Sequence, residues 1–236
     1  MVATILVWRM GSASLQSVFI MRQTIAHPVL DYLDRHHPPL EPVLESIRTE
    51  GLAAGLPLVD AATARLLRTL VISLGAHRIL EIGTAIGYSA TCMALALPSD
   101  GLVLTMEMDA ERAATARENF VRAGVDSRVD VIVGDASRFL HKVAGPFDLI
   151  FQDGSKQLYE PLLDRLVDRL RPGGVLVTDN VLWHGEVVES FIDPPQRDVR
   201  DTEAIRHYND RLAGDTRLLT TFLPLGDGVA LSVKLR

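Results

Sequence analysis

One cysteine, Cys92, is all the thiol in this chain of 236 residues, so no internal disulfide is available and nothing ties the fold to an oxidising compartment. Aromatic residues are also scarce, at 6%. Apolar residues at 47% and charged residues at 23% nevertheless supply enough Ala, Val, Leu and Ile for a large core, which excludes wholesale disorder. No dense run of Lys or Arg occurs, and a net charge of −6 with a pI near 5.6 gives no general attraction to phosphate backbones. A small-molecule partner is expected, with no nucleic acid. No apolar run reaches the ~18 residues of a membrane span. Val2 to Trp8 and Leu15 to Met21 are apolar, with Arg9 and Arg22 as the only charges there. A secretory leader would carry its charge ahead of the apolar stretch, whereas Arg9 interrupts it and no clear small-residue cleavage site follows. The expectation is a cytoplasmic protein with no membrane partner. Residues 1–20 are read as an extension: a frayed tail, a dimer contact or a stretch upstream of a natural start at Met21. Residues 21–236 are read as one domain, because α/β folds routinely build single domains of ~200–250 residues. A homodimer is the expected assembly.

From His27 to Ala54 a helical pattern is broken by Pro28, Pro38, Pro39 and Pro42 and closed by Gly51 and Gly55, which predicts a helical cap. Pro57 then opens a helix through Leu58, Ala62, Leu66, Leu70 and Leu74, which Gly75 ends. Beyond it, short apolar runs alternate with helical segments. Strands are predicted at Arg78–Ile82, Leu102–Glu107, Val129–Val133, Phe147–Phe151 and Val175–Thr178, with helices starting near Tyr88, Ala110, Ser137 and Leu158. Leu218–Leu223 and Val229–Lys234, separated by Pro224-Leu225-Gly226-Asp227-Gly228, read as an antiparallel hairpin. Such alternation requires right-handed crossovers and a mostly parallel sheet covered on both faces, an α/β fold. Ligands of such sheets bind beyond the carboxyl ends of the strands. Here those ends carry Glu81-Ile82-Gly83, Glu107, Gly134-Asp135, Asp153 and Asp179-Asn180, so nearly every one presents an acid or an amide.

Glu81-Ile82-Gly83-Thr84-Ala85-Ile86-Gly87-Tyr88-Ser89 is a strand running through Gly-x-x-x-Gly into a helix. A dinucleotide site would space its glycines as Gly-x-Gly-x-x-Gly and set a pyrophosphate on the helix N-terminus. The spacing here suits a zwitterionic amino-acid tail better: turn N–H groups meet its carboxylate, and Glu81 sits near its ammonium. The alternative is a tight strand-to-helix turn and nothing more. Glu107, about 24 residues after Gly83, can accept both hydroxyls of a ribose; otherwise it is a solvated surface acid. Asp135 is placed to meet an adenine amino group, with Ala136 beneath the ring, unless Asp135 only caps the next helix.

Asp153 and Asp179-Asn180 close neighbouring strands, so their side chains can converge. Two carboxylates and an amide carbonyl are hard oxygen ligands, suited to Mg²⁺, Mn²⁺ or Ca²⁺ and poor for Zn²⁺. Three such ligands leave about three of six octahedral positions for water and substrate, room for two adjacent hydroxyls. Lys156 follows Asp153 by three residues and can reach the same spot. Beside a divalent cation and a sulfonium its protonated form is disfavoured, which lets it accept a phenolic proton. The bland alternative is an exposed lysine at a helix start.

Taken together, Ile79-Leu80-Glu81-Ile82-Gly83-Thr84-Ala85-Ile86-Gly87-Tyr88-Ser89, Phe151-Gln152-Asp153-Gly154-Ser155-Lys156-Gln157-Leu158-Tyr159, Asp179-Asn180-Val181-Leu182-Trp183-His184-Gly185 and Leu223-Pro224-Leu225-Gly226-Asp227-Gly228 carry a resemblance. They resemble the cation-dependent O-methyltransferases, among them the caffeoyl-CoA and catechol O-methyltransferases and their bacterial relatives. The likeness runs in order from about Met21 to Arg236. It implies a class I methyltransferase fold: a Rossmann-like, seven-stranded, mostly parallel sheet with a C-terminal antiparallel hairpin and an N-terminal helical cap. It further implies S-adenosylmethionine held by Val59, Glu81, Gly83, Thr84, Ser89, Glu107, Asp135, Ala136 and Asp153. The metal would be held by Asp153, Asp179 and Asn180, with Lys156 as catalytic base. His184 stands where the acceptor contact after the tryptophan is often Asn. Asp153-Gly154-Ser155-Lys156 replaces the Asp-Ala-Asp-Lys usual in plant relatives, so Ser155 loses or replaces one cofactor contact. Both departures point to a changed acceptor pocket with the metal and base positions intact.

The expected reaction is direct methyl transfer from sulfonium to a hydroxyl of a small phenolic, catechol-like acceptor, driven mostly by positioning and electrostatics. The segment from His184 to His207, with Pro194-Pro195, is expected to form a lid or wall over that acceptor. Two rivals are a nicotinamide-dependent oxidoreductase on a similar fold and a protein that binds the nucleoside without catalysis. The glycine spacing argues against the first, and the set Asp153, Lys156, Asp179 and Asn180 against the second.

Overall fold

A computed structural model of the chain describes residues 27–188 and 198–236. The expected extension of residues 1–20, and residues 189–197 of the expected lid, lie outside them. Helix α1, His27–His36, belongs to a unit ending at Leu40; all that follows belongs to a second unit, Glu41–Arg236. Among the described residues no helix is long and apolar enough to cross a membrane.

The second unit opens with α2, Pro42–Ala53, and α3, Ala61–Ser73. The expected start of α3 at Pro57 moves to Ala61 because Asp60 caps it, its carboxylate accepting the N–H groups of Ala62 and Thr63 at 2.7 and 2.9 Å. Then come β1 (Arg78–Ile82), α4 (Tyr88–Ala96), β2 (Leu102–Glu107), α5 (Ala110–Arg122), β3 (Val129–Val133) and the short α6 (Ala136–Phe139). They are followed by β4 (Phe147–Gln152), α7 (Tyr159–Arg169), β5 (Leu170–Asp179), α8 (Val199–Gly214), β6 (Leu218–Leu223) and β7 (Val229–Lys234). A 3₁₀ turn, Lys156–Leu158, precedes α7 where a helix start near Leu158 is expected. β5 begins earlier than expected, at Leu170, with Gly173 at φ +73° and a register shift against β4 between Phe147 and Leu149.

One sheet runs β3-β2-β1-β4-β5-β7-β6. The first five strands are parallel; β7 is antiparallel to β5, and β6 to β7. The near-continuous apolar runs of β1 and β4 follow from helices covering both faces. On one face Leu80, Ile150 and Leu176 pack with Leu162, Leu163, Leu166, Ile205 and Leu212 of α7 and α8. The strand order reverses between β1 and β4, where open α/β sheets leave a crevice. Register then decides what meets there. Ile82 pairs with Gln152 and Gln152 with Thr178, so Gly83, Asp153 and Asp179 follow in adjacent rows. Asp179 pairs with Val229, which brings the hairpin turn 224–228 to the same corner.

Candidate active site

A cleft of about 470 Å³ lies along the strand ends. Among its walls are Val59, Gly83, Thr84, Ser89, Glu107, Asp135, Ala136, Asp153, Lys156, Asp179, Asn180 and His184, so nearly every residue singled out in the sequence reaches one space. Glu81 does not line it and stands just behind.

Glu81 is fully buried. Its two oxygens accept the hydroxyls of Ser89 and Thr105, each at 2.6 Å, and Thr105 is 2.6 Å from the Thr84 hydroxyl. Because Thr105 gives its proton to Glu81, Thr84 must be the donor to Thr105 when Glu81 is ionised. Burial pushes the Glu81 carboxyl up to about 7. Gly83, at φ +99°, lies so close to the Asp153 carbonyl that a Cβ there would collide with backbone. Gly87 caps α4 at φ +85°, with the Phe120 ring where a side chain would go.

Glu107 is 8% exposed. One oxygen accepts the Ala85 N–H at 2.8 Å and the other the Asp109 N–H at 3.0 Å. Each oxygen retains a further lone pair, and Glu107 borders the cleft. For Asp135 the helix-capping alternative is realised: its carboxylate accepts the Ser137 N–H at 2.8 Å, and the Ser137 hydroxyl and that N–H together hold it below the usual carboxylate range. It borders the cleft as well, with Ala136 beside it.

At the other end four polar groups converge. The Lys156 ammonium donates to Asn180 Oδ1 at 2.6 Å, to the Tyr159 hydroxyl at 2.7 Å and to Asp153 Oδ1 at 3.1 Å. Asp179, nearly fully buried, accepts the Asn180 N–H at 2.8 Å. Burial, and then the neighbouring Asp153, push its carboxyl up to about 8; burial also raises Asp153, against the pull of Lys156. A nearly buried carboxylate beside a part-buried one calls for nearby positive charge. Asn180, Trp183 and His184 all adopt left-handed backbone, at φ +59°, +47° and +55°, a strain that persists only where the surroundings enforce it.

This donor set fits a hard cation: two carboxylates and an amide oxygen, with an ammonium as stand-in between two of them. Among the described residues no three His, Cys, Asp or Glu side chains are grouped to hold a metal. The third oxygen here is an amide's. Sequence reasoning gave no role to Tyr159 or to Asp227, each named only as part of a motif. Of the expected lid, the described residues past Asp198 form α8, fixed to the sheet by Tyr208, whose hydroxyl is 2.6 Å from Thr178 Oγ1 and donates to Gln152 at 3.1 Å. From that segment His184 and Asp201 line the cleft.

The five parallel strands, the reversed β7 and the cleft at the strand-order reversal define a class I methyltransferase. A family model described as O-methyltransferase matches residues 39–235. The chain belongs to that O-methyltransferase family, whose enzymes draw their methyl group from S-adenosylmethionine. It is 34% identical over 216 residues to the mouse catechol O-methyltransferase domain-containing protein 1, covering 89% of this chain and 80% of the relative. It is also 34% identical over 197 residues to a catechol O-methyltransferase of Niastella koreensis, covering 78% of this chain and 87% of the relative. The crystal structure of a Bacillus cereus O-methyltransferase in complex with SAH superimposes with a TM-score of 0.78 at 32% identity, over 88% of this chain and 97% of that one. Membership of this family sets aside the nicotinamide oxidoreductase.

Proposed function

We propose that this enzyme methylates one hydroxyl of a small catechol-like acceptor and depends on a divalent cation, Mg²⁺ or in its place Mn²⁺ or Ca²⁺, held by Asp153, Asp179 and Asn180. The carrying observation is the Lys156 ammonium lodged between oxygens of Asp153 and Asn180, at the end of the cleft away from Glu107. A bound cation would supply charge to the two buried carboxylates and lower the pKa of an adjacent hydroxyl. The catechol O-methyltransferase of Niastella koreensis supports the acceptor class by its name.

Each residue then has a task. Glu107 takes the two ribose hydroxyls on its remaining lone pairs, and Val59, Asp135 and Ala136 enclose the adenine. Gly83 and Thr84 let the backbone approach the amino-acid tail, with Glu81 and Ser89 behind them. As the neutral amine, Lys156 Nζ accepts the proton of the reacting hydroxyl while that oxygen takes the methyl group from the sulfonium sulfur, which leaves as the neutral thioether, and Tyr159 keeps Nζ aimed. Trp183 and His184 form the acceptor's wall. No covalent enzyme intermediate is needed.

The test compares vicinal diphenols with matched monophenols, using labelled S-adenosylmethionine with and without excess chelator. Diphenols should be methylated, chelator should abolish turnover, and Mg²⁺ or Mn²⁺ should restore it. Full activity in excess chelator would overturn the metal assignment, and equal use of monophenols the acceptor class.

A further inference from the structure

Asp227 sits in the turn between β6 and β7, outside the cleft wall, and has no task in the reaction above. Its main chain is bound to the loop after β5: the carbonyls of Asp227 and Gly228 accept the N–H groups of Leu182 and Val181 at 3.0 and 3.1 Å. Gly228, at φ +85°, packs so tightly against Leu182 that no side chain fits there. The Asp227 side chain, 14% exposed, accepts the His184 N–H with Oδ1 and the Asn180 amide Nδ2 with Oδ2 at 3.3 Å; His184 Nε2 is 3.4 Å from Oδ2.

The Asn180 amide therefore stands between two groups of opposite character. On one side the Lys156 ammonium can only donate; on the other an ionised carboxylate can only accept. Only one of the two amide orientations satisfies both, so the placement of Oδ1 follows from the neighbours' chemistry. The opposite flip would set NH₂ against the ammonium and C=O against the carboxylate. A cation taking the place of the ammonium needs that same oxygen, and an NH₂ group in its place would offer no lone pair.

We propose that Asp227 is a positioning residue that locks the Asn180 amide with its carbonyl oxygen toward the cation site. This rests on the metal reading above. In Asp227→Asn the new side chain must keep an oxygen on the His184 N–H, so its NH₂ faces Asn180. Asn180 then turns its carbonyl toward that NH₂ and its own NH₂ toward the site.

The measurement is Mn²⁺ affinity by titration calorimetry on the protein free of acceptor, with S-adenosylmethionine affinity as the fold control. Asp227→Asn should weaken Mn²⁺ binding by about 10–100-fold, the usual worth of a group orienting a metal ligand, and leave S-adenosylmethionine affinity unchanged. Repeated with Asn180→Asp already in place, the same Asp227→Asn change should reverse sign and strengthen Mn²⁺ binding. There it removes a carboxylate pair and supplies a donor to the new acid. A loss of equal size in both backgrounds would mean that Asp227 acts only as a distant negative charge, and would overturn the inference. So would unchanged Mn²⁺ affinity in Asp227→Asn, or a parallel loss of S-adenosylmethionine binding, which would make Asp227 a support of the hairpin alone. A parent enzyme that takes up no Mn²⁺ would instead sink the metal reading itself, and this inference with it.

Discussion

Lys156 and Tyr159 are joined through a hydroxyl that works in both directions: it accepts from Nζ at 2.7 Å and donates to the Asp179 carbonyl at 3.1 Å. The buried phenol thereby links the lysine to the backbone that presents Asp179. Tyr159→Phe should fold, at a cost of about 1–3 kcal/mol for the carbonyl left without a partner. It should lower kcat by about 10–100-fold as Nζ loses its aim. S-adenosylmethionine affinity should stay level, which calorimetry can check. An unchanged kcat would show that Asp153 and Asn180 orient the lysine without help.

Removing the lysine itself is the sharper test. Lys156→Ala should retain S-adenosylmethionine binding yet lose about 10²–10⁴ in turnover, the usual worth of a positioned base. Higher pH should partly rescue it, since an acceptor that ionises in solution needs no base. Arginine should not substitute, because a guanidinium cannot take up a proton. Near parental turnover in Lys156→Arg at neutral pH would reduce the side chain to a fixed positive charge.

Glu107 and Asp179 separate the two ends of the cleft. Glu107→Ala should weaken S-adenosylmethionine binding by about tenfold or more, as two charge-assisted hydrogen bonds to the ribose are lost. Asp179→Ala should spare that affinity and depress acceptor turnover. Unchanged affinity in Glu107→Ala would contradict the ribose role.

Glu81 predicts a pH dependence of stability in the enzyme without its methyl donor. Its carboxyl is raised from the ordinary 4.5 to about 7, so the folded state holds the proton over a range where the unfolded chain has released it. The native state binds more protons there, and stability falls as pH rises through that window. At about 1.4 kcal/mol per pH unit, the full loss is about 3 kcal/mol. Glu81→Gln removes this contribution, so urea unfolding at pH 5 and pH 8 should give the variant a shallower pH dependence than the parent. Matching profiles would mean that Ser89 and Thr105 stabilise the ionised carboxylate well enough to cancel its burial.

Most of the site was legible because parallel strands place their ends in known rows. Once Phe147–Phe151 and Val175–Thr178 are read as neighbours, Asp153 must come beside Asp179, and the register bears this out. Helix starts were less legible, since they depend on which side chain reaches the free N–H groups. Asp60 outcompeted the proline signal at Pro57, and Asp135 was spent as a cap as well as a wall. Tyr159 and Asp227 stayed hidden for a different reason. Tyr159 meets Lys156 three residues back, but the carbonyl that fixes its hydroxyl and the Asn180 partner of Asp227 lie 20 and 47 residues away, where no local spacing points.

Because β7 runs against β5, it is the start of this strand, not its end, that arrives at the catalytic corner. A growing polypeptide has therefore made the cleft residues from Val59 to Asp153 well before the turn that bonds to Asn180, which is translated dozens of residues later. The pairings at that corner, Asn180 with Asp227 and Asp179 with Val229, therefore form only once the last strand has been made.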